Sequence, residues 1–496
     1  MGIGGGVSGV GECGQGVFSM RLVLLCVMLV LVWAPGASRA DVSFTRDVVP
    51  ILLRRCTGCH GERSNLGGYR AHTYQALTKA GNSGARAILA GRPDASRLFQ
   101  LITSKAEQTR MPKSDEPLPA LQIDVIRRWI AEGAKYDGAD PAASLKTLLG
   151  PRVHPTAPTV YRIGVPVLAL SLIPGGDRIA VGGYNEITIW SSTTGALIRR
   201  IGGLPQRIQA MSFSKDSRTL LVSGGTPGEY GEISLVNVAT SARTLVLEPW
   251  TDICLAAVFS PDGKRIAAGG ADNTVRCYDA DTGKRLWSSG VHSDWVTSVS
   301  FSGDGKFVAS AGRDMTVKVN DAVTGELFTT YNGHNRQLGQ FSEHAPVYAV
   351  RFAADALAAY SAGAGRWVQR WDPIKARAES GDAGDMEERF SKQSHAQHIE
   401  HGFKHEVFAL TVRGGGLFAA SADGIVKQFD ISTLKEIRSY TAGSDWLFAL
   451  DYDPATERLA AGSYSGRVTV WNAQSGAVII AFDARPSGPV TVVRHP

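Results

Sequence analysis

Cys56, Cys59 and His60 fall within five residues, in the order Cys-Thr-Gly-Cys-His. Two thiols at that spacing can add across the two vinyl groups on one porphyrin edge, and the histidine that follows is carried beneath the iron. The run therefore reads as the attachment site of one covalently held haem c, with Cys56 and Cys59 as its thioether residues and His60 as an axial iron ligand. A six-coordinate iron needs a second axial ligand. Met111 is the only methionine between positions 41 and 150, in Arg110-Met111-Pro112. A thioether ligand favours ferrous iron and raises the potential. Met111 is the expected partner of His60, and His72 is the alternative, placed close behind His60 in the chain. Arg92, Arg97 and Arg110 are candidate contacts for the haem propionates, because a guanidinium fork matches a carboxylate.

Two helices are expected to position these groups. Ser43 can cap a helix running through Arg55, with Phe44, Val48, Ile51 and Leu52 on one face. Pro50 inside it predicts a kink or a shifted start. Leu121, Val125, Ile126, Trp129 and Ile130 mark a second helix that stops near Gly133. Residues 41–137 thus read as a small all-α domain. Residues 138–160, with Pro141, Pro151, Pro155 and Pro158, read as a linker.

The segment before this domain sets the compartment. Met20 and Arg21 precede an apolar run from Leu22 to Trp33, then Ala37-Ser38-Arg39-Ala40. Residues 1–40 are expected to be a secretory signal peptide cleaved after Ala40, with Met20 as an alternative start and an uncleaved membrane anchor as the alternative reading. The expected location is the bacterial periplasm, with no stable membrane span after cleavage. Cys13 and Cys26 fall in this segment, which leaves Cys254 and Cys277 outside the haem motif. They are read as small buried strand residues, although an oxidising compartment allows a disulfide. The formal charge of +6 is too weak an excess to argue for nucleic acid. Residues 41–150 hold 16 Lys/Arg against 11 Asp/Glu and so carry the excess left after the signal is removed, where it can steer an acidic redox partner.

From about residue 161 the chain repeats. Val258-Phe259-Ser260-Pro261-Asp262-Gly263-Lys264 returns as Ser300-Phe301-Ser302-Gly303-Asp304-Gly305-Lys306. Strand ends such as Trp190-Ser191, Tyr278-Asp279, Trp371-Asp372, Phe429-Asp430 and Trp471-Asn472 follow. Anchors at 172, 213, 259, 301, 352, 412 and 452 mark seven copies, 40–60 residues apart. The unit resembles the WD40 repeat, with Gly333-His334 as one of its Gly-His signatures. Seven copies imply an all-β seven-bladed propeller over 161–496, since one blade cannot bury both faces alone. Val490–Arg494 resembles an extra first strand, either paired at the ring closure or left outside the ring. Asp272 and Asp314 are expected to fix tight turns rather than do chemistry. The fifth copy carries an insertion at about 373–404, read as an exposed loop, with His395, His398 and His401 and then His405. Steps of three rotate these imidazoles around a helix, and no cysteine or acid completes a ligand set, so metal binding is the weaker reading. No hydrolase, metalloprotease or phosphate-loop motif is present.

The stretch Phe44–Ala134 resembles the planctomycete-type cytochrome c domain. The shared features are the Cys56–Gly61 motif, Gly67-Gly68, the run Gly91 to Leu98, Arg110-Met111-Pro112 and the closing Ile126 to Ala134. The resemblance implies a mono-haem, class I-like fold with His/Met ligation. No proline lies between His60 and Pro93, so a backbone carbonyl near Gly67 or Gly68 is expected to orient the proximal imidazole. The expected function is one-electron transfer without substrate chemistry of its own, with the propeller as a protein-docking platform for a redox partner. The alternative is an oxidoreductase whose active site lies in the propeller and whose haem relays electrons.

Overall fold

The computed structural model describes residues 41–61, 64–113, 116–148, 152–334, 336–338, 341–343, 345–353, 358–380, 396–398 and 402–492. The expected signal peptide over 1–40, with Cys13 and Cys26, lies outside these residues, as do His395, His401, Val493 and Arg494. No helix among the described residues is long and apolar enough to cross a membrane. The described chain forms two compact units. One combines 41–48 with Thr78–Ala139; the other combines Val49–Leu77 with the chain from Asp140 onward.

The first unit is helical. Ser43 caps its opening turn as expected: Ser43 Oγ accepts the Arg46 N–H at 3.1 Å, and the Ser43 N–H donates to the Asp47 carboxylate at 2.9 Å. That turn is a π-helix over Phe44–Val48, and the separate α-helix Val49–Arg55 that follows in the chain belongs to the second unit. Pro50 explains the break. It has no N–H to donate four residues back, so it sits in the first turn of the α-helix, where no donor is needed. The helix Ala120–Ala131 buries Ile126, Trp129 and Ile130. Trp129 stacks on Phe44, with ring centroids 5.1 Å apart. Gly133 and Ala134 both adopt positive φ, and the Ala134 N–H reaches back to the Trp129 carbonyl at 2.8 Å, which ends the helix where expected. Leu121, counted on the apolar face, is instead 73% exposed.

The second unit is mostly antiparallel sheet. An eight-stranded sheet is followed by five four-stranded sheets, with a two-stranded hairpin over Arg336–Leu338 and Phe341–Glu343. Each four-stranded sheet is a meander of consecutive strands. The eight-stranded sheet is two such meanders sharing one 17-residue strand, Leu197–Phe213. First strands of successive sheets touch, and Leu170–Leu172 touches Leu447–Asp453 of the last sheet. There Val167, Leu170 and Leu172 share a core with Ala449, Ala460 and Val468. The Leu172 N–H donates to the buried Asp451 carboxylate at 2.9 Å. Cores shared between two adjacent sheets recur along the unit.

Turn chemistry repeats with the sequence. Ser260 and Ser302 hydroxyls donate to Asp262 and Asp304, whose carboxylates accept the N–H of Lys264 and Lys306, each at 3.1 Å. Asp272 and Asp314 do fix turns, each accepting the N–H two residues on at 3.2 Å. Cys254 and Cys277 are free, fully buried strand residues.

Three details depart from the sequence reading. The insertion is not all loop: Pro373–Ser380 is a helix, and Gln397–His398 is the fourth strand of its sheet. His398 therefore lies in a strand, and His405 is exposed. The described part of the Pro-rich segment is docked. His154 is buried against Glu232 at 3.0 Å, and Arg200 donates to the carbonyls of Pro158 and Thr159. Finally, Thr491–Val492 pairs in parallel with Ile201–Gly202 of the first sheet. Arg200 also holds this tail through the Gly488 carbonyl at 2.7 Å.

Candidate haem-binding site

The Cys-x-x-Cys-His run begins where the helix Val49–Arg55 ends. The N–H groups of Cys56 and Thr57 both reach the Leu52 carbonyl, at 2.9 and 3.0 Å, and Thr57 Oγ1 donates to the Leu53 carbonyl. The Cys59 and His60 N–H groups then return to the Cys56 carbonyl at 3.3 and 2.9 Å. This tight turn brings both sulfurs and the imidazole out of one short loop. Gly61 is forced by it: a Cβ there would lie 2.4 Å from the Thr57 carbonyl oxygen. Gly58 has open space around the same position.

The loop beyond the motif folds back on it. Leu66 N–H and Ser64 Oγ both donate to the Cys59 carbonyl, at 3.2 and 2.9 Å. Gly67 and Gly68 both sit at φ +66°, where a side chain is strained. The reversal they allow sets Tyr69 beside the histidine. His60 Nδ1 lies 3.3 Å from the Tyr69 carbonyl oxygen, and the two rings meet edge to face at 5.3 Å. Tyr69 is itself tied down by its hydroxyl, which donates to the Leu77 carbonyl at 2.8 Å. The expected carbonyl is thus one residue beyond Gly68.

That contact decides the tautomer. An imidazole that donates from Nδ1 carries its lone pair on Nε2, the nitrogen a metal would take. Nε2 has no hydrogen-bond partner among the described residues. Burial pushes the Cys56 thiol up to about 12, so it stays a neutral thiol. Cys59 is exposed. A neutral Cys56 thiol suits thioether formation better than metal ligation, which takes thiolates.

In the other unit, Met111 is half-buried, and its N–H donates to the Leu101 carbonyl at the end of the helix Arg97–Ile102. The Met111-Pro112 peptide is cis. The three candidate arginines differ. Arg92 and Arg97 are exposed. Arg110 is half-buried, and its Nε is buried with no hydrogen-bond partner among the described residues. An orphaned guanidinium nitrogen beside Met111 is what a carboxylate-bearing group would satisfy. His72 Nδ1 is likewise buried without a partner. Leu66, 61% exposed, is an apolar side chain that a porphyrin face would cover. The donor set therefore fits a haem held by thioethers.

Residues 56–115 match the family described as Planctomycete cytochrome C. Residues 244–279, 283–321 and 434–472 match the WD domain, G-beta repeat. The chain joins a planctomycete-type cytochrome c domain to WD40 repeats. Among curated proteins it is similar to WD repeat-containing protein SL1-17 of Schistosoma mansoni, 31% identical over 141 residues, covering 28% of this chain and 44% of that protein. It is also similar to Protein groucho of Drosophila melanogaster, 27% identical over 123 residues, or 24% and 16% of the two chains. A third match, to human apoptotic protease-activating factor 1, is 47% identical over 47 residues, or 10% and 4%. The chain spans less than half the length of each of these relatives.

The WD40 repeats hold one arrangement that imitates a catalytic centre. His292 Nδ1 lies 2.9 Å from Asp314, and His292 Nε2 lies 2.8 Å from Ser310 Oγ. The order is that of a Ser-His-Asp triad. Ser310 and His292 are buried, however, in and beside a strand that another sheet covers. No substrate can reach the hydroxyl, so the network is structural. His334 repeats only its His–Ser part in the next sheet, with Nε2 2.7 Å from Ser361 Oγ, which also accepts Trp371 Nε1–H at 3.1 Å, and with Nδ1 lacking an acidic partner among the described residues.

Proposed function

We propose that this chain is an exported mono-haem c-type cytochrome that passes single electrons, with its WD40 part serving as the docking platform for a redox partner. The observation that carries this reading is the His60–Tyr69 contact: the loop presets the imidazole as an Nε2 ligand. Bound haem supplies one-electron redox chemistry. Cys56 and Cys59 anchor it, and His60 and Met111 are the proposed axial ligands. Arg110 is the favoured propionate contact among the three arginines, on the strength of its orphaned Nε. A haem held by both His60 and Met111 would supply electron transfer and not substrate binding.

We further infer that the six larger sheets are seven blades in a closed ring. The shared strand Leu197–Phe213 supports counting the eight-stranded sheet twice, and the Leu172–Asp451 contact supports closure. Such a rigid ring suits docking. The test of the whole reading is the visible spectrum of the reduced protein with and without carbon monoxide. A low-spin spectrum insensitive to the gas is expected. Ready binding of the gas, or a second chromophore, would favour an oxidoreductase instead.

A further inference from the structure

The first strand of every blade from the second to the seventh carries a bulge at one place. The pairings skip Gln209, Leu255, Thr297, Tyr348, Phe408 and Phe448 in turn. A bulged residue leaves the ladder and its side chain is re-aimed. In three consecutive blades that residue is aromatic. The Tyr348 and Phe408 rings lie 5.4 Å apart, and the Phe408 and Phe448 rings 4.6 Å. Trp446 and Tyr464 extend the row: Tyr464 is 6.0 Å from Trp446 and 6.1 Å from Phe448. Trp446 is 52% exposed and Tyr464 56%. Tyr348, Phe408 and Phe448 are half-buried, so the arc is a contiguous aromatic row that is open at Trp446 and Tyr464, the composition of a protein-binding hot spot.

The rim of the arc is acidic. Glu406 and Asp445 stand one and two residues before the first strands that carry Phe408 and Phe448. The Asp445 carboxylate accepts the N–H of Trp446 and of Ser465, at 2.9 and 2.7 Å, contacts that favour its charged form. At this same end Arg313 already lies over the Trp295 ring, 4.6 Å from its centroid. Aromatic faces and carboxylates together attract a cation that brings its alkyl stem, and they repel an acidic segment.

We propose that this aromatic arc with its acidic rim docks a lysine- or arginine-bearing segment of the protein partner. The proposal rests on the docking reading above and adds the surface and the chemistry it selects. The rings cover the aliphatic stem and the cationic head, and Glu406 and Asp445 supply the counter-charge. Screening by salt must weaken the contact.

The test is titration of the full haem-loaded protein with fluorescein-labelled octalysine, with octaglutamate as control. Wild type is expected to bind octalysine in a salt-sensitive manner and not octaglutamate. Trp446→Ala is expected to weaken binding about tenfold, Trp446→Phe about threefold or less, and Glu406→Gln about threefold. Far-UV circular dichroism checks folding. Should Trp446→Ala unfold, Tyr464→Ser decides alone, with a similar loss expected. Octalysine binding that is absent in wild type, or unchanged in the folded variants, overturns the proposal. The reduced spectrum of the same samples separates the two readings: a gas-insensitive haem with failed binding overturns this inference alone, whereas a gas-binding haem overturns the electron-transfer reading.

Discussion

His60 Nδ1 lies 3.3 Å from the carbonyl oxygen of Tyr69, nine residues further along the chain. The acceptor is backbone, so it depends on the path of the loop and not on a side chain. Gly67 and Gly68, at φ +66°, make that path. Gly67 has open space where a Cβ would stand, so Gly67→Ala is expected to cost about 1 kcal/mol, the left-handed penalty alone. Chemical denaturation followed by the haem absorbance measures it.

Two glycines of the attachment loop should behave oppositely. Gly61→Ala sets a Cβ against the Thr57 carbonyl oxygen, a backbone atom that cannot move aside cheaply. The yield of haem-loaded protein is expected to collapse. Gly58→Ala meets nothing within 4 Å. It is expected to load normally and to be neutral or stabilising by about 0.5 kcal/mol. Comparing haem content per chain for the two variants checks both expectations.

Met111→Ala should open the iron. The weak sulfur-to-iron band at the red end of the oxidised spectrum is expected to vanish, the midpoint potential to fall, and the reduced protein to bind carbon monoxide. A wild type without that band would hand the sixth position to another residue.

The buried pair of Glu186 and Arg200 closes the first sheet. Both side chains are 1% exposed, with a 2.7 Å contact, and Arg200 also holds the Pro-rich segment and the C-terminal tail. Glu186→Gln leaves the guanidinium uncompensated and is expected to cost about 3–5 kcal/mol. Replacing both residues by methionine should recover much of that loss. Urea unfolding of the single and double variants separates the two effects.

Burial pushes the pKa of His334 down to about 3, below its ordinary value of 6.5. The unfolded chain therefore binds more protons below pH 6.5, and stability must fall as pH drops from there toward 3. At pH 5 this one group costs roughly 2 kcal/mol relative to pH 7. His334→Gln is expected to flatten that slope by about one proton, while weakening the protein at neutral pH through loss of the Ser361 contact. Unfolding free energies measured from pH 7 to pH 4.5 decide it.

The chemistry of this chain was legible where residue type alone dictates it. Cys56, Cys59 and His60 point to the haem proposed for them, and the Ser260–Asp262 and Ser302–Asp304 turns announce the repeat. Orienting the imidazole by a nearby carbonyl was foreseeable because no proline was available. What escaped depends on register and on distant partners. The π-helical form of the turn before Pro50 leaves no trace in residue types. The docking of His154 on Glu232 joins residues 78 apart and leaves no local trace. The aromatic arc was hidden differently. Tyr348, Phe408 and Phe448 each stand four residues before a repeat anchor, a column that alignment of the copies displays, but only the bulge says that they leave the ladder.

The most direct measurement is the intact mass of the exported, denatured protein. The account predicts a mass increase of one haem that survives acid extraction, is lost when Cys56 and Cys59 are both replaced by alanine, and remains in Met111→Ala. A chain that carries no covalent haem, or one whose haem survives loss of both cysteines, would contradict it.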